Sequence, residues 1–329
     1  MTKLTWTQLP QEEQFRIAEV YRNGGQIKEF ASHYEMKSHT LIRNVQHFIY
    51  YQDLFQKEKV TGATFPQFSD IIYRDYVVLE DENVIVSSDF EIPDADPMMV
   101  LLIFIVGIRF NIKRLIIAGD FMATDQAGLN EWVDIWKETG ETTFGNALGM
   151  AKQTLKGFHR QFDTIDLIEG NHDDRVARAT KGDISLNLLL DSSVANYSRY
   201  GYLYINTHRG PIYICHPRQF SANSVALGQK LYNVTTTPDG KKCHIILGHT
   251  HQPQSGRSPD GLREIYALGC IRDPLKTKYI NKNPNTHHKW GQGFMMIRNG
   301  YFHPLTLLGT DWEFLLGDLC PAELLREVS

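Results

Sequence analysis

HIILGHTH, residues 244–251, reads as a buried strand that ends in a donor-rich turn. Ile245, Ile246 and Leu247 form the short apolar run of a strand covered on both faces. Gly248 permits a tight turn, and the imidazoles of His249 and His251 follow. The same order recurs in VIVSSDFE (residues 84–91), LIIAGD (115–120), LIEGNHDD (167–174) and IYICH (212–216). Each is an apolar run, then Asp, Asn, His or Glu. Residues 97–110 and 146–162 separate the first runs and read as apolar or amphipathic helices. Strands alternating with helices predict a mainly parallel sheet with helices packed on it. Such folds place their sites in loops at the carboxyl ends of the strands.

The later chain carries more strand and turn signals. Residues 263–268 read as a strand, Pro259-Asp260-Gly261 as a turn, and Asn299-Gly300 as a hairpin turn joining 294–297 to 301–305. The first 58 residues read differently. Helices are expected over 11–23, stopped by Gly24-Gly25, over 27–33, and over 38–52 with Ser38 as N-cap. Two short helices joined by a tight turn resemble a helix-turn-helix, and Lys37, His39, Thr40 and Arg43 would face nucleic acid. The turn at Tyr34-Glu35 lacks the common glycine, and Glu12, Glu13 and Glu19 offset the bases. The domain expectation is a helical module over 1–58, a linker over 59–75, a catalytic domain over 76–310 and a C-terminal tail over 311–329.

The chain has 329 residues, 42% hydrophobic and 22% charged, which is ordinary globular composition. A net charge of -4 excludes binding to nucleic acid or membrane by bulk charge alone. Cys215, Cys243, Cys270 and Cys320 form no CxxC pair and read as reduced cysteines. The N-terminus has no apolar run, so no signal peptide is expected. Residues 98–110 fall short of the roughly 20 residues that span a bilayer. The expectation is a cytoplasmic protein with no membrane contact.

A lone histidine after a strand is most often structural, and Gly-Asp is a common turn. Five such stretches together point to a metal site of oxygen and imidazole donors, suited to Mn²⁺, Mg²⁺, Fe or Zn²⁺. On VIVSSDFEIPDAD, LIIAGDF, LIEGNHDDR, IYICHPRQF and ILGHTHQP, residues 82–305 resemble the calcineurin-like metallophosphoesterase family. The resemblance implies an α/β fold, a two-sheet β-sandwich flanked by helices, here preceded by the small all-α module. It implies two divalent metal ions, with Mn²⁺ as first choice. Asp120 would bridge them, Asp89 and His251 would hold the first, and Asn171, His216 and His249 the second. His172 would serve the leaving oxygen, and Asp173 would orient His172. A cation pair of this kind clamps a phosphate ester and lowers the pKa of water.

Two positions depart from the family pattern. Glu91 stands where a histidine is usual; it is either a charged oxygen ligand that favours Mn²⁺ or Mg²⁺, or a residue behind the ligands. Residues 119–123 lack the usual acid or amide after Gly-Asp, although Asp125 is close. Arg175 and Arg178 would either contact phosphate or pair with acids such as Asp174. The preferred activity is a phosphodiesterase or nuclease on DNA or RNA, with the helical module raising local substrate concentration. The alternatives are a nucleotide or small-molecule phosphatase with a helical oligomerisation module, a protein phosphatase, or a non-catalytic DNA-binding regulator. Oligomeric state is not legible.

Overall fold

The computed structural model describes residues 6–61, 77–124, 144–190, 193–237, 239–276 and 290–321. Asp125 and most of the expected linker lie outside them. The chain divides into two compact units, Met1–Ile72 and Tyr73–Ser329.

The first unit is helical. It contains α1 (Gln11–Arg22), α2 (Lys28–His33) and α3 (Ser38–Thr61). Ile17, Ala18, Ala31, Leu41 and Val45 form its core, at positions that recur with helical spacing. Without a glycine between α2 and α3, Glu35 itself adopts the left-handed conformation, at φ 54°. Helix α3 runs well past the expected residue 52.

The second unit is a two-sheet α/β sandwich flanked by helices, as expected. Its strands are β1 (Val77–Glu80), β2 (Val84–Ser87), β3 (Arg114–Ala118), β4 (Thr164–Ile168), β5 (Asn196–Ser198), β6 (Tyr202–Asn206), β7 (Ile212–Cys215), β8 (His244–Leu247), β9 (Gln254–Arg257), β10 (Glu264–Ala267), β11 (Gly293–Arg298) and β12 (Tyr301–Thr306). One sheet has the order β12-β11-β2-β3-β4-β5, the other β1-β6-β7-β8-β10-β9. Among the described residues its helices are α4 (Pro97–Arg109), α5 (Phe144–Phe158), α6 (Asp174–Ala179), α7 (Leu186–Leu189), α8 (Ser224–Val234) and α9 (Trp312–Leu316).

Alternation along each strand builds the layers. Val84, Val86, Ile116, Ala118 and Ile168 face Ile205, Ile212, Ile214 and Ile246 between the sheets. The intervening Ile85, Leu115, Ile117, Ile165 and Leu167 pack outward with Leu102, Val106, Ala151 and Leu155 of α4 and α5. Across the other sheet, Leu227 and Tyr232 of α8 cover Ile245, Leu247 and Ile265. The C-terminal segment expected as a tail belongs in part to the core: Trp312 and Leu316 of α9 are buried in the layer that holds α4. Asp311 caps α9 by accepting from the Phe314 amide (2.9 Å). Among the described residues, no helix is long and apolar enough to cross a membrane.

Strands β2, β3 and β4 are parallel neighbours, as are β7 and β8. Their carboxyl ends therefore lie together at one end of the sandwich. All five donor-rich turns leave from those ends.

Candidate metal centre

The turns follow one local plan, a chain reversal so tight that only glycine or a left-handed residue fits. A Cβ on Gly248 would stand 2.0 Å from the Ser88 hydroxyl, and one on Gly170 would stand 2.2 Å from an Asp120 carboxylate oxygen. Gly119, at φ 83°, has no room for a Cβ beside the His216 ring (2.5 Å). Five candidate ligands take left-handed backbone themselves: Asp89 at φ 57°, Glu91 at 44°, Asp120 at 50°, His249 at 74° and His251 at 55°. This conformation costs a non-glycine residue about 1–2 kcal/mol. Strain so concentrated is characteristic of sites that aim side chains at a common point.

These side chains meet in three overlapping groups. Asp120, His216 and His249 form one; Asp89, Glu91 and His251 a second; Glu91, Asp120 and His172 a third. Within each group one donor atom per residue lies within 4.8 Å of the others. Asp120 and Glu91 are shared, so the groups form one continuous centre. Asn171 joins the first group, its side-chain oxygen 3.2 Å from His216 Nε2. The geometry thus brings together Asp89, Glu91, Asp120, Asn171, His172, His216, His249 and His251.

Outer contacts set the orientations. His216 Nδ1–H donates to the Ala118 carbonyl (2.8 Å), which leaves Nε2 facing Asp120 Oδ2 at 3.0 Å. Fixing one ring nitrogen so that the other can bind a cation is the usual support for a metal-binding histidine. His251 Nε2 lies 3.1 Å from Asp89 and 3.2 Å from Glu91, and its ring packs edge-on against Trp290. The Asp89 carboxylate accepts from the His249 amide (2.9 Å) and sits 2.6 Å from the Ser88 hydroxyl.

The charges interlock. Burial would raise the Asp120 carboxyl, yet His216 and His172 hold it far below the usual range. Burial would lower His216, yet Asp120 and Asp89 hold it up at about 10. His251 is likewise opposed by burial and held at about 9 by Asp89 and Glu91. Protons therefore occupy these imidazoles when no cation does. Acids and imidazoles with pooled negative charge, hard oxygens and ring nitrogens fit divalent cations well.

Asp173 gathers backbone donors from two loops. Its buried carboxylate accepts from the amides of Phe121 (3.1 Å), Met122 (3.1 Å) and Gly170 (2.9 Å), pinning the Asp120 loop to the Asn171 loop. Burial and the Asp120 charge raise it to about 7. The Arg175 guanidinium lies against the His172 ring, its nitrogens 3.1 and 3.3 Å from the two ring nitrogens. Arg178 pairs with Asp174 (3.2 Å), the acid that Arg218 also meets (2.8 Å). Lys37, His39 and Arg43 are exposed in the helical unit and Thr40 is half-buried.

Three contributors escaped the sequence reading. Ser224, at the start of α8, meets the Thr250 hydroxyl (2.8 Å) and braces the Gly248–His251 turn. Phe220 lies 59% exposed with its ring 6.2 Å from that of His249. Arg272 is fully buried and pairs with Glu91 and Asp94. Its one sequence signal is a lone base in the apolar run ALGCIR, residues 267–272.

No protein-family model matches the chain, and no curated protein does. Solved structures do. The phosphoesterase YfcE from E. coli is 13% identical over 66% of this chain and 88% of its own, with a TM-score of 0.36. The Pseudomonas putida nuclease MPE is 15% identical over 69% and 93%, with a TM-score of 0.30. Vacuolar protein sorting 29 from Cryptosporidium parvum is 12% identical over 69% and 97%, with a TM-score of 0.34. Each is a protein this chain is similar to, and none of them sets its function.

Proposed function

We propose that the chain is a metal-dependent phosphoesterase of the calcineurin-like kind, acting on phosphodiesters of DNA or RNA. The observation that carries this is the continuous donor centre, in which Asp120 and Glu91 each belong to two groups. Asp120, Asn171, His216 and His249 would hold one divalent cation, and Asp89, Glu91 and His251 the other, with Asp120 shared. When bound, the cations supply Lewis-acid charge to the ester and acidify water. His172 stands at the edge of the centre, its side chain 12% exposed and its Nε2 3.9 Å from Asp120. It can hold a proton at the leaving oxygen. Arg175, beside it, adds positive charge toward the phosphate.

Support for nucleic acid comes from the rim. Phe220 offers an exposed ring for a base to stack on, and Arg178 and Arg218 add charge. The exposed Lys37, His39 and Arg43 offer a second contact. A nucleotide phosphatase that self-associates through its helical unit has its own observation: Phe15 is 45% exposed in a groove it shares with Ala18, Phe48 and Ile49.

The test is turnover of bis-p-nitrophenyl phosphate, single- and double-stranded DNA, RNA and nucleotides with Mn²⁺ and Mg²⁺. Asp120→Asn is the control and should abolish turnover and reduce bound metal. Activity confined to nucleotides would replace nucleic acid as the substrate. No turnover of any phosphate ester would leave a non-catalytic regulator.

A further inference from the structure

The two carboxylate oxygens of Glu91 have different partners. Oε1 lies 3.2 Å from His251 Nε2, on the side that faces Asp89. Oε2 points the other way and takes a hydrogen bond from the Arg272 guanidinium. The same guanidinium reaches Asp94 Oδ2 with its second terminal nitrogen (2.6 Å). Its planar fork serves two carboxylates at once, which a lysine ammonium cannot match in fixed geometry. Both Arg272 and Glu91 are 1% exposed at their side chains, so bulk solvent does not screen the pair.

Arg272 is itself tied to the centre through the main chain. Its amide donates to the Asp89 carbonyl (3.0 Å), and the neighbouring Ile271 amide donates to the same oxygen (3.1 Å). On the other side of the turn, the Asp273 amide donates to the Asp94 carbonyl (2.9 Å). Residues 270–273 therefore run along the back of the Asp89–Asp94 loop. A charged base at that place is hard to account for by packing alone. A buried ion pair is seldom more stable than a well-packed apolar pair of the same size.

We propose that Arg272 is a positioning residue of the metal centre. It occupies one oxygen of Glu91, offsets part of its charge, and presents the other oxygen as a single donor to the cation held with Asp89 and His251. Glu91 then acts as a one-atom ligand whose charge Arg272 partly offsets, closer to an imidazole than a free carboxylate would be. This inference rests on the two-cation reading above and adds the part of the site that carries Glu91.

The test is Mn²⁺ stoichiometry and affinity of the full-length chain, by calorimetry and elemental analysis, with no turnover needed. Wild type should bind two Mn²⁺; one or none overturns the two-cation reading itself, before any variant is compared. Arg272→Met should weaken one of the two cations by about 10–100-fold, the range for losing a partner that orients a ligand, and leave the other intact. Asp94→Asn, which cuts the guanidinium's other arm, should leave both affinities near wild type. The triple variant Glu91→His with Arg272→Met and Asp94→Asn removes the whole charged cluster and supplies the neutral donor directly, so it should recover two tight cations. Arg272→Met with two wild-type affinities would mean the pair only joins loops. A folded triple variant that binds no better than Arg272→Met would also overturn the assignment. If Arg272→Met itself fails to fold, the triple variant decides.

Discussion

His172 and Gly170 are close in sequence and do opposite things at the centre. His172 contributes its ring at the solvent-facing edge, while its amide donates to Asp120 Oδ1 (2.7 Å). Replacing the ring leaves that amide in place. His172→Ala should therefore lower kcat by about 10²–10⁴-fold, the range for a general acid, with metal content unchanged. The loss should shrink on esters with good leaving groups; elemental analysis showing depleted metal would instead make the ring a ligand. Gly170 contributes nothing but space. A methyl there would meet the Asp120 amide nitrogen at 2.1 Å, and backbone cannot swing aside as a side chain can. Gly170→Ala should cost about 1–3 kcal/mol in urea unfolding, as overpacking does, and should lower metal affinity because Asp120 moves. Among single residues, the candidate ligands were legible because each follows an apolar strand. Arg272 was not, because its value depends on Glu91 and Asp94, 181 and 178 positions away. The backbone partners of Asp173 were not legible for a related reason: adjacency to His172 says nothing of amides on the Asp120 loop.

Strands buried on both faces announce themselves, and those at the margins do not. VIVS, RLIIA, TIDLI and HIIL are apolar because helices and a second sheet cover them. By contrast β9, QSGR, has no apolar side chain and is a strand only because β10 pairs with it. Helix α8 is equally quiet in sequence. It starts where Asn223 accepts from the Ala226 amide (3.0 Å), and its place is set by Gly228, whose missing Cβ lets Ile265 approach. The pair α2 and α3 carries a different expectation. If α3 meets nucleic acid, Lys37→Ala with Arg43→Ala in the full-length chain should weaken binding to duplex DNA across sequences. The slope of log K against log[salt] should become shallower by about 0.9 for every phosphate that the variant no longer neutralises. An unchanged slope by fluorescence anisotropy would remove these residues from the interface.

At the scale of the whole molecule, cations and protons compete for the same nitrogens. His216 and His251 rise from an ordinary value of 6.5 to about 10 and about 9 in the metal-free fold. Groups raised in this way stabilise the fold below 6.5 and lose that contribution as pH climbs through their folded values. The chelator-treated chain should therefore lose thermal stability from about pH 6.5 to pH 10. Cation binding needs the neutral rings, releases their protons, and strengthens over the same window. The gap in Tm between the Mn²⁺-loaded and chelator-treated chain should widen from pH 6.5 to pH 9; scanning calorimetry showing a constant gap would exclude both histidines as ligands. The placement of the donors has one further outcome. Asp89, Asp120 and Asn171 leave from one sheet, while His216, His249 and His251 leave from the other. A cation held between them is a clasp across the sandwich, closing with a few bonds a loop on the order of a hundred residues long. Such a clasp removes freedom from the open chain as a covalent cross-link does. Withdrawing the cations should make the carboxyl ends of β2, β3, β7 and β8 exchange amide hydrogens faster together, as both leaves of the sandwich part from that end.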